Sequence, residues 1–276
     1  SLTDVTTIAT PAHSLTVFAT AGALAEGYYY WDNNNTIWVR LIEANDVDLR
    51  IVGDNNHITM DAGVGSNGTN VGTGRRNIAI GLNTLKTNTT GSNNTVIGYS
   101  ALPLNTSGNN NVAVGLNTLR KNTTGSNNTT IGTNALLTNE TGGSNVALGA
   151  SALTSNTTGN RNTAIGHFSL RFNSASNNIA IGHNSLRENT TGANNVAVGL
   201  NALLWKVTGD FNTAVGIRSG QSLTNGISNV FIGQNAGGDL TTGNSNIFIG
   251  SNVNTNISTT GSNQLNIGNW IYGSGG

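Results

Sequence analysis

The chain has 276 residues with a formal net charge of zero, and only 9 % of them are charged, whereas Gly contributes 37 residues and Asn 47. A zero net charge gives no electrostatic basis for binding nucleic acid or an anionic membrane. No apolar run reaches the roughly 18 residues that span a bilayer, and the absence of Cys excludes disulfides, thiol catalysis and thiolate metal sites.

The first 62 residues do not repeat, and residues 1–62 are predicted to form a small N-terminal β-hairpin module. Two aromatic-rich segments, 27–32 and 36–41, flank the run Asn33-Asn34-Asn35, which is typical of two strands joined by a turn. Trp31 and Trp38 lie in these segments. They have two interpretations, an aromatic platform that binds carbohydrate or the core of a small β module, and the second is favoured.

A repeat follows over residues 63–268. A short apolar pattern ends in a glycine that returns every 17 residues, with one interval of 16 and one of 18. These repeat glycines, which define position zero of each unit, are Gly81, Gly98, Gly115, Gly132, Gly149, Gly166, Gly182, Gly199, Gly216, Gly233, Gly250 and Gly268. Self-similarity at a short fixed period indicates a solenoid.

Within each unit the chain pattern predicts one short strand and one turn. Positions −3 and −1 are β-branched or Leu, so they predict a strand that buries this face. Asn at −4 is expected to form a ladder along the rod. A second glycine at +10 is expected to supply the positive φ of a tight turn. The fold class is therefore predicted as all-β, a parallel β-solenoid (β-roll) of about twelve 17-residue coils.

Two features predict lateral association of these coils. One coil buries only three or four sizeable apolar groups, at about 2 kcal/mol each, against an ordering cost near 1.5 kcal/mol per residue. Position +1 is also apolar in many units, as at Leu82, Tyr99 and Leu116, which is unusual for an exposed column. Coils are thus expected to need a neighbouring chain.

The last units depart from the repeat pattern. Leu at +4 is lost at Gly220, Gly237 and Asn254, and Phe231 and Phe248 replace Ala at −2, so the two columns should share a packing layer, although Asn266 does not follow this rule.

One unit, between Gly166 and Gly182, lacks one residue. Because a deletion inside a strand would invert the later side chains, residues 173–176 should form a shorter surface loop. Ile165 and Ile181 should then share one core column.

Units such as 162–166 (Asn-Thr-Ala-Ile-Gly) and 195–199 (Asn-Val-Ala-Val-Gly) resemble head repeats of trimeric autotransporter adhesins. The 17-residue unit with its Asn-Thr-Thr-Gly turn is similar to repeats of phage tail fibres and of surface fibres of predatory bacteria. This resemblance implies a homotrimer located extracellularly, on a cell surface or as a virion fibre. It also implies that 269–276 is an exit segment toward a further C-terminal part.

Candidate sites are few, and no constellation of catalytic groups is present, so neither an enzyme nor a cofactor is expected. His167 and His183 share position +1 in successive coils and could supply imidazoles to an axial metal in a trimer, or be tolerated polar substitutions. A broken basic column at +5 could bind acidic glycans or be a solvated face; it comprises Lys86, Arg120, Arg171 and Arg187.

The sequence therefore predicts a segment of an extracellular trimeric fibre that attaches to a target cell through a surface receptor or polysaccharide. Its partners would be its own copies and that target, with no nucleic acid and no membrane insertion. Two alternatives stay open: a monomeric ice-binding β-solenoid that uses stacked threonines, and a passive fibre shaft without receptor binding.

Overall fold

A computed structural model describes residues 74–205, 207–254 and 258–274, together with the backbone of five earlier strands. The earlier strands are β1 (Thr16–Ala19), β2 (Gly27–Asp32), β3 (Ile37–Leu41), β4 (Ile51–Gly53) and β5 (Asn56–Met60). The later strands are β6 (Ile78–Ile80), β7 (Thr95–Ile97), β8 (Val112–Val114), β9 (Thr129–Ile131), β10 (Val146–Leu148), β11 (Thr163–Ile165), β12 (Ile179–Ile181), β13 (Val196–Val198), β14 (Thr213–Val215), β15 (Val230–Ile232), β16 (Ile247–Ile249), β17 (Gln264–Ile267) and β18 (Ile271–Ser274).

The N-terminal strands form an antiparallel sheet in the order β1-β2-β3. β2 and β3 pair around residues 33–36 with Trp31 opposite Trp38, so the predicted hairpin is confirmed at the level of the backbone. β4 and β5 pair antiparallel with each other, and β5 pairs antiparallel with β6. Strands within the predicted segment 1–62 therefore continue the sheet of the repeats.

The repeats form a parallel β-solenoid of about eleven turns, bounded by the twelve parallel strands β6 to β17. Each strand pairs with the next at equivalent repeat positions, and the shortened unit keeps this register because Ile165 pairs with Ile181. At about 4.8 Å between paired strands, eleven turns extend roughly 53 Å. The all-β solenoid predicted from the period is confirmed.

The core is filled from positions that the strand pattern alone did not select. The buried residue of each three-residue strand is the middle one at −2, such as Ala113 and Ala147, and it packs with a column of buried Leu at +4. The prediction that −3 and −1 face the core is wrong, because these residues point outward. A narrow coil has room for small residues at −2 facing Leu, while the bulkier β-branched residues stay outside.

The last prediction for the shortened unit is therefore half right. Ile165 and Ile181 lie in the same column, but that column faces outward, with 36 % and 38 % of the two residues exposed. The loop at 173–176 is shorter, as predicted, and the carbonyl oxygen of Ala175 takes the place of the turn glycine by accepting hydrogen bonds from Asn162 and Asn173 at 2.9 and 2.8 Å.

The Asn ladder at −4 is confirmed and fully buried along most of the rod. In one rung, the main-chain amide and Nδ2 of Asn145 donate to Oδ1 of Asn128 at 3.0 and 3.2 Å, and Nδ2 also donates to the carbonyl oxygen of Gly159 at 2.9 Å. Buried amides are costly unless they are paired, so each rung ties one coil to its neighbours on both sides.

A second buried Asn ladder lies at position +7 and was not predicted. Nδ2 of Asn122 donates to Oδ1 of Asn105 and to the carbonyl oxygen of Gly125, both at 3.0 Å, and Asn111 donates to the same carbonyl at 2.9 Å. The two ladders thus meet at the turn glycine. The members of the second ladder are Asn88, Asn105, Asn122, Asn139, Asn156, Asn173 and Asn189.

The two kinds of glycine have different roles. Gly149, a repeat glycine, has φ of 138°, and a Cβ there would lie 2.7 Å from the main chain of Gly166, which confirms a corner without room for a side chain. The positive φ predicted for the glycine at +10 is wrong at Gly108, where a Cβ would instead overlap the carbonyl oxygen of Gly125. The left-handed conformation is taken by other residues, such as Asn134 and Leu136.

The exchange of volume near the end of the rod is confirmed. A Cβ at Gly220 would lie 2.6 Å from Cδ2 of Phe231, and one at Gly237 would overlap the same ring. The Phe231 and Phe248 rings stack with centroids 6.0 Å apart, and both are buried. These rings fill the column that Leu occupies in earlier coils.

The final coil closes through Asn266, the residue that the volume rule left unexplained. Its Nδ2 donates to the carbonyl oxygen of Asn254 at 3.0 Å, and its Oδ1 accepts from the amide of Asn269 at 3.2 Å. In the predicted exit segment, β18 then folds back antiparallel on β17. A polar residue replaces Phe here because it anchors this reversal.

Candidate functional site

The outer face of the parallel sheet carries a continuous apolar surface. We define the apolar stripe as the outward residues at positions −3 and −1 of β6 to β16; every one of them is Ile, Val, Leu or Thr. Ile131 is 47 % exposed and Ile232 is 41 % exposed. Contiguous apolar surface of this kind marks an interaction site more often than single exposed residues do.

Position +1 extends the apolar stripe along part of the rod. Tyr99, Leu116, Leu200 and Ile217 are all exposed, so the sequence prediction of an exposed apolar column at +1 is confirmed. The interior of each coil is already filled by the residues at −2 and +4. The stripe and this column therefore present the apolar surface that a coil cannot bury by itself.

His167 and His183 interrupt the +1 column and lie in adjacent coils, as the sequence pattern predicts. Their ring centroids are 5.3 Å apart, and the His167 ring also lies 3.6 Å from the Phe168 ring. Among the residues that the structure describes, no group of three or more His, Asp or Glu residues is placed to hold a metal. An axial metal bound by these two residues stays a prediction.

Of the basic column at +5, only Arg171 and Arg187 lie close to each other. The guanidinium carbons of Arg171 and Arg187 lie 4.6 and 5.5 Å from the centre of the Phe168 ring, and Arg171 also lies 4.9 Å from the exposed ring of Phe172. Arg187 forms an ion pair with Glu188 at 3.3 Å. Cation–π contacts of this kind hold the guanidinium planes in place.

The remaining predicted binding residues do not join this cluster. Lys86 and Arg120 are exposed, and Leu137 and Thr154 occupy the +5 position between Arg120 and Arg171. The side chains of Trp31 and Trp38 lie outside the described residues.

No described residue is in a helix, so none belongs to an apolar helix long enough to cross a bilayer.

The N-terminal segment is similar to a known protein family. Residues 1–58 match the family model described as a phage tail like trimerisation region. No curated protein and no solved structure matches the chain. The match covers the antiparallel strands β1 to β5 almost completely and precedes the first coil, and it supports assembly of the chain as a homotrimer.

The trimerisation match and the apolar stripe together indicate a fibre-type structural protein. The sequence did not assign the stripe to the outside, because an alternating strand has two faces and periodicity does not say which one is buried. A signal was present in the residues at −2, which are mostly Ala: a small residue suits the narrow interior of a coil.

Proposed function

We propose that this chain is a non-enzymatic segment of a homotrimeric, phage-tail-like fibre, located on a virion or in the extracellular space, which attaches to a target cell surface. The observation that carries the proposal is the uncharged apolar stripe, which runs the length of the described coils, following a segment similar to phage tail trimerisation regions. Parallel rods joined at one end present equivalent surfaces to one another.

A three-fold arrangement buries more of the apolar stripe away from water than a single rod does. Three chains brought together by residues 1–58 have their coils in the same register, so each outward Ile or Val meets equivalent apolar residues of its neighbours. Burial of an aliphatic side chain contributes about 1.5–3 kcal/mol. The summed gain along the rod would compensate for the thin core of each coil.

Attachment to a cell surface is supported by the polar and charged surfaces that the stripe leaves free. The cluster around Phe168 combines two guanidinium groups with an exposed aromatic ring, Phe172, and such combinations suit acidic saccharides. The alternative of a passive shaft gives this cluster no role. Replacing both Arg171 and Arg187 with Ala should therefore lower binding to target cells if the segment is adhesive.

The ice-binding alternative is disfavoured by the hydroxyl groups themselves. Thr89, Thr106 and Thr123 each donate to a main-chain carbonyl of the next coil, at 2.7, 3.0 and 3.1 Å. Their hydroxyls hold turns together and do not form a free, flat face. A monomer in solution would nevertheless restore this alternative.

The test is the mass of the whole chain in solution with and without a charged residue in the stripe. We expect sedimentation equilibrium to give three times 28.4 kDa for the unchanged chain. Ile131→Lys should weaken the trimer and Lys121→Ala should not, because Ile131 lies in the stripe and Lys121 is an exposed residue of a turn. A monomeric mass for the unchanged chain at micromolar concentration would contradict the proposal.

A further inference from the structure

One position of the repeat carries a hydrogen-bond ladder that links exposed turns. At +11, the side chain of one coil accepts a hydrogen bond from the main-chain amide of the equivalent residue in the preceding coil. The amide of Asn109 donates to Oγ of Ser126 at 3.0 Å, and that of Gly143 donates to Oδ1 of Asn160 at 2.7 Å. Ser and Asn at +11 therefore pair these amides along the turn side of the rod.

Gly143 breaks this ladder, and a Cβ at this position would lie 3.0 Å from the carbonyl oxygen of Ser126. It provides no side chain, and the amide of Ser126 donates no hydrogen bond to any residue that the structure describes. A Cβ at position 143 would lie 3.8 Å from the nitrogen of Ser126, where an accepting side chain would otherwise reach. Ala193 and Ile227 also interrupt the ladder, but both retain an aliphatic side chain.

A groove of about 400 Å³ opens at this gap and is lined entirely by polar residues and Gly143. Arg161 contributes a guanidinium group that forms no ion pair, hydrogen bond or ring contact with the described residues. The hydroxyls of Thr124, Thr141 and Ser144 likewise form no hydrogen bonds within the described chain. The groove thus presents one positive charge, one free amide and several free hydroxyls.

We propose that this groove binds a sugar acid, such as a uronic acid unit of an acidic polysaccharide. The volume lies within the range of about 300–1,000 Å³ that is usual for ligand sites. The guanidinium of Arg161 would pair with the sugar carboxylate through its planar fork. The free amide of Ser126 would donate to a ring hydroxyl oxygen in the space left by Gly143, and the threonine hydroxyls would bond to further hydroxyls.

This inference rests on the proposed attachment function and adds to the cluster around Phe168 a second site, for which it names uronic acid units as the ligand. A single exposed groove without aromatic residues should bind weakly, with Kd on the order of millimolar. Three copies on one fibre would share one polymer and raise the apparent affinity by about 10²–10⁴ where the geometry allows simultaneous contact. Binding should also weaken with salt because one ion pair contributes.

The experiment measures binding of the whole chain to immobilised polygalacturonate and, by NMR, to tri-galacturonate, with maltotriose as the neutral probe. Gly143→Ser restores the side chain that the ladder has at Ser126 and fills the gap, and Arg161→Asn introduces the residue found at the same repeat position in several coils. We expect each variant to lose at least tenfold in binding, and we expect Arg161→Asn to leave the melting temperature unchanged.

Arg218→Asn is the matched control, because Arg218 is an exposed arginine outside the groove at a position that is Asn in other coils. It should retain binding. Equal losses for Arg161→Asn and Arg218→Asn would overturn the site in favour of a net charge effect. Equal binding of maltotriose, or no binding of either probe by a chain that sediments as a trimer, would overturn the ligand class without affecting the trimeric fibre.

Discussion

Replacing Phe231 with Ala should leave a cavity that Leu at position 220 can refill. Phe231 is fully buried, and its ring lies where a Cβ at Gly220 would come within 2.6 Å. Phe→Ala in a core costs about 3–5 kcal/mol. Gly220→Leu alone should cost about 1–3 kcal/mol through overpacking. Its backbone conformation is acceptable to Leu, because Leu203 adopts φ of 47° one coil earlier.

Together the two substitutions should cost about 3 kcal/mol or less, well below the sum of the single changes, because Leu occupies the volume vacated by the ring. The assay is guanidinium denaturation followed by circular dichroism on all four members of the double-mutant cycle. Phe248→Ala combined with Gly220→Leu is the control, since the atoms nearest to a Cβ at Gly220 belong to Phe231 and Leu203 and not to Phe248. That pair should be closer to additive, because Phe248 stacks on Phe231 but is not among the atoms nearest to position 220, and full additivity for Phe231 would refute the shared packing layer.

Three further changes test the coil itself. Gly149→Val should lower the melting temperature strongly because a Cβ meets the next coil at 2.7 Å, whereas Lys121→Ala should leave it nearly unchanged, and equal melting temperatures would contradict the corner assignment. Asn145→Ala should cost about 2–4 kcal/mol in denaturant unfolding, because it removes the buried acceptor of the Asn162 main-chain amide and one donor to Oδ1 of Asn128; a loss below 1 kcal/mol would mean that the ladder contributes little. Insertion of one Gly after Ser174 restores 17 residues and should change the melting temperature by only a few degrees, whereas insertion of one Gly before Ala164 should prevent folding. Comparable effects of the two insertions would mean that the missing residue belongs to the strand and not to the loop.

Much of the fold could be predicted because the repeat samples each position many times. The period, the register through the shortened unit and the Asn ladder all follow from residues that recur at one offset, such as Asn128 and Asn145. The exchange between Phe231 and Gly220 was also accessible, since the two changes occur together in the sequence. These features depend on local pattern alone.

The direction of the strand faces could not be predicted in the same way. Alternation at Ile165 and Ile181 distinguishes two faces of a strand, but the choice between them depends on how much volume one coil encloses. The turn glycines present the same difficulty: Gly108 is required by contact with the next coil, which only the stacked structure reveals. The groove at Gly143 was missed because its significance depends on an amide one coil earlier.

The central claim is that three copies meet along the apolar stripe, and the absence of Cys allows a direct measurement of that contact. Ile165→Cys places one thiol in the stripe, and Thr158→Cys places one in an exposed turn. Treatment with a short trifunctional maleimide should join three chains through position 165, as seen by denaturing electrophoresis, and few through position 158. Cross-linking of three chains at position 158 with none at position 165 would contradict the assembly described above.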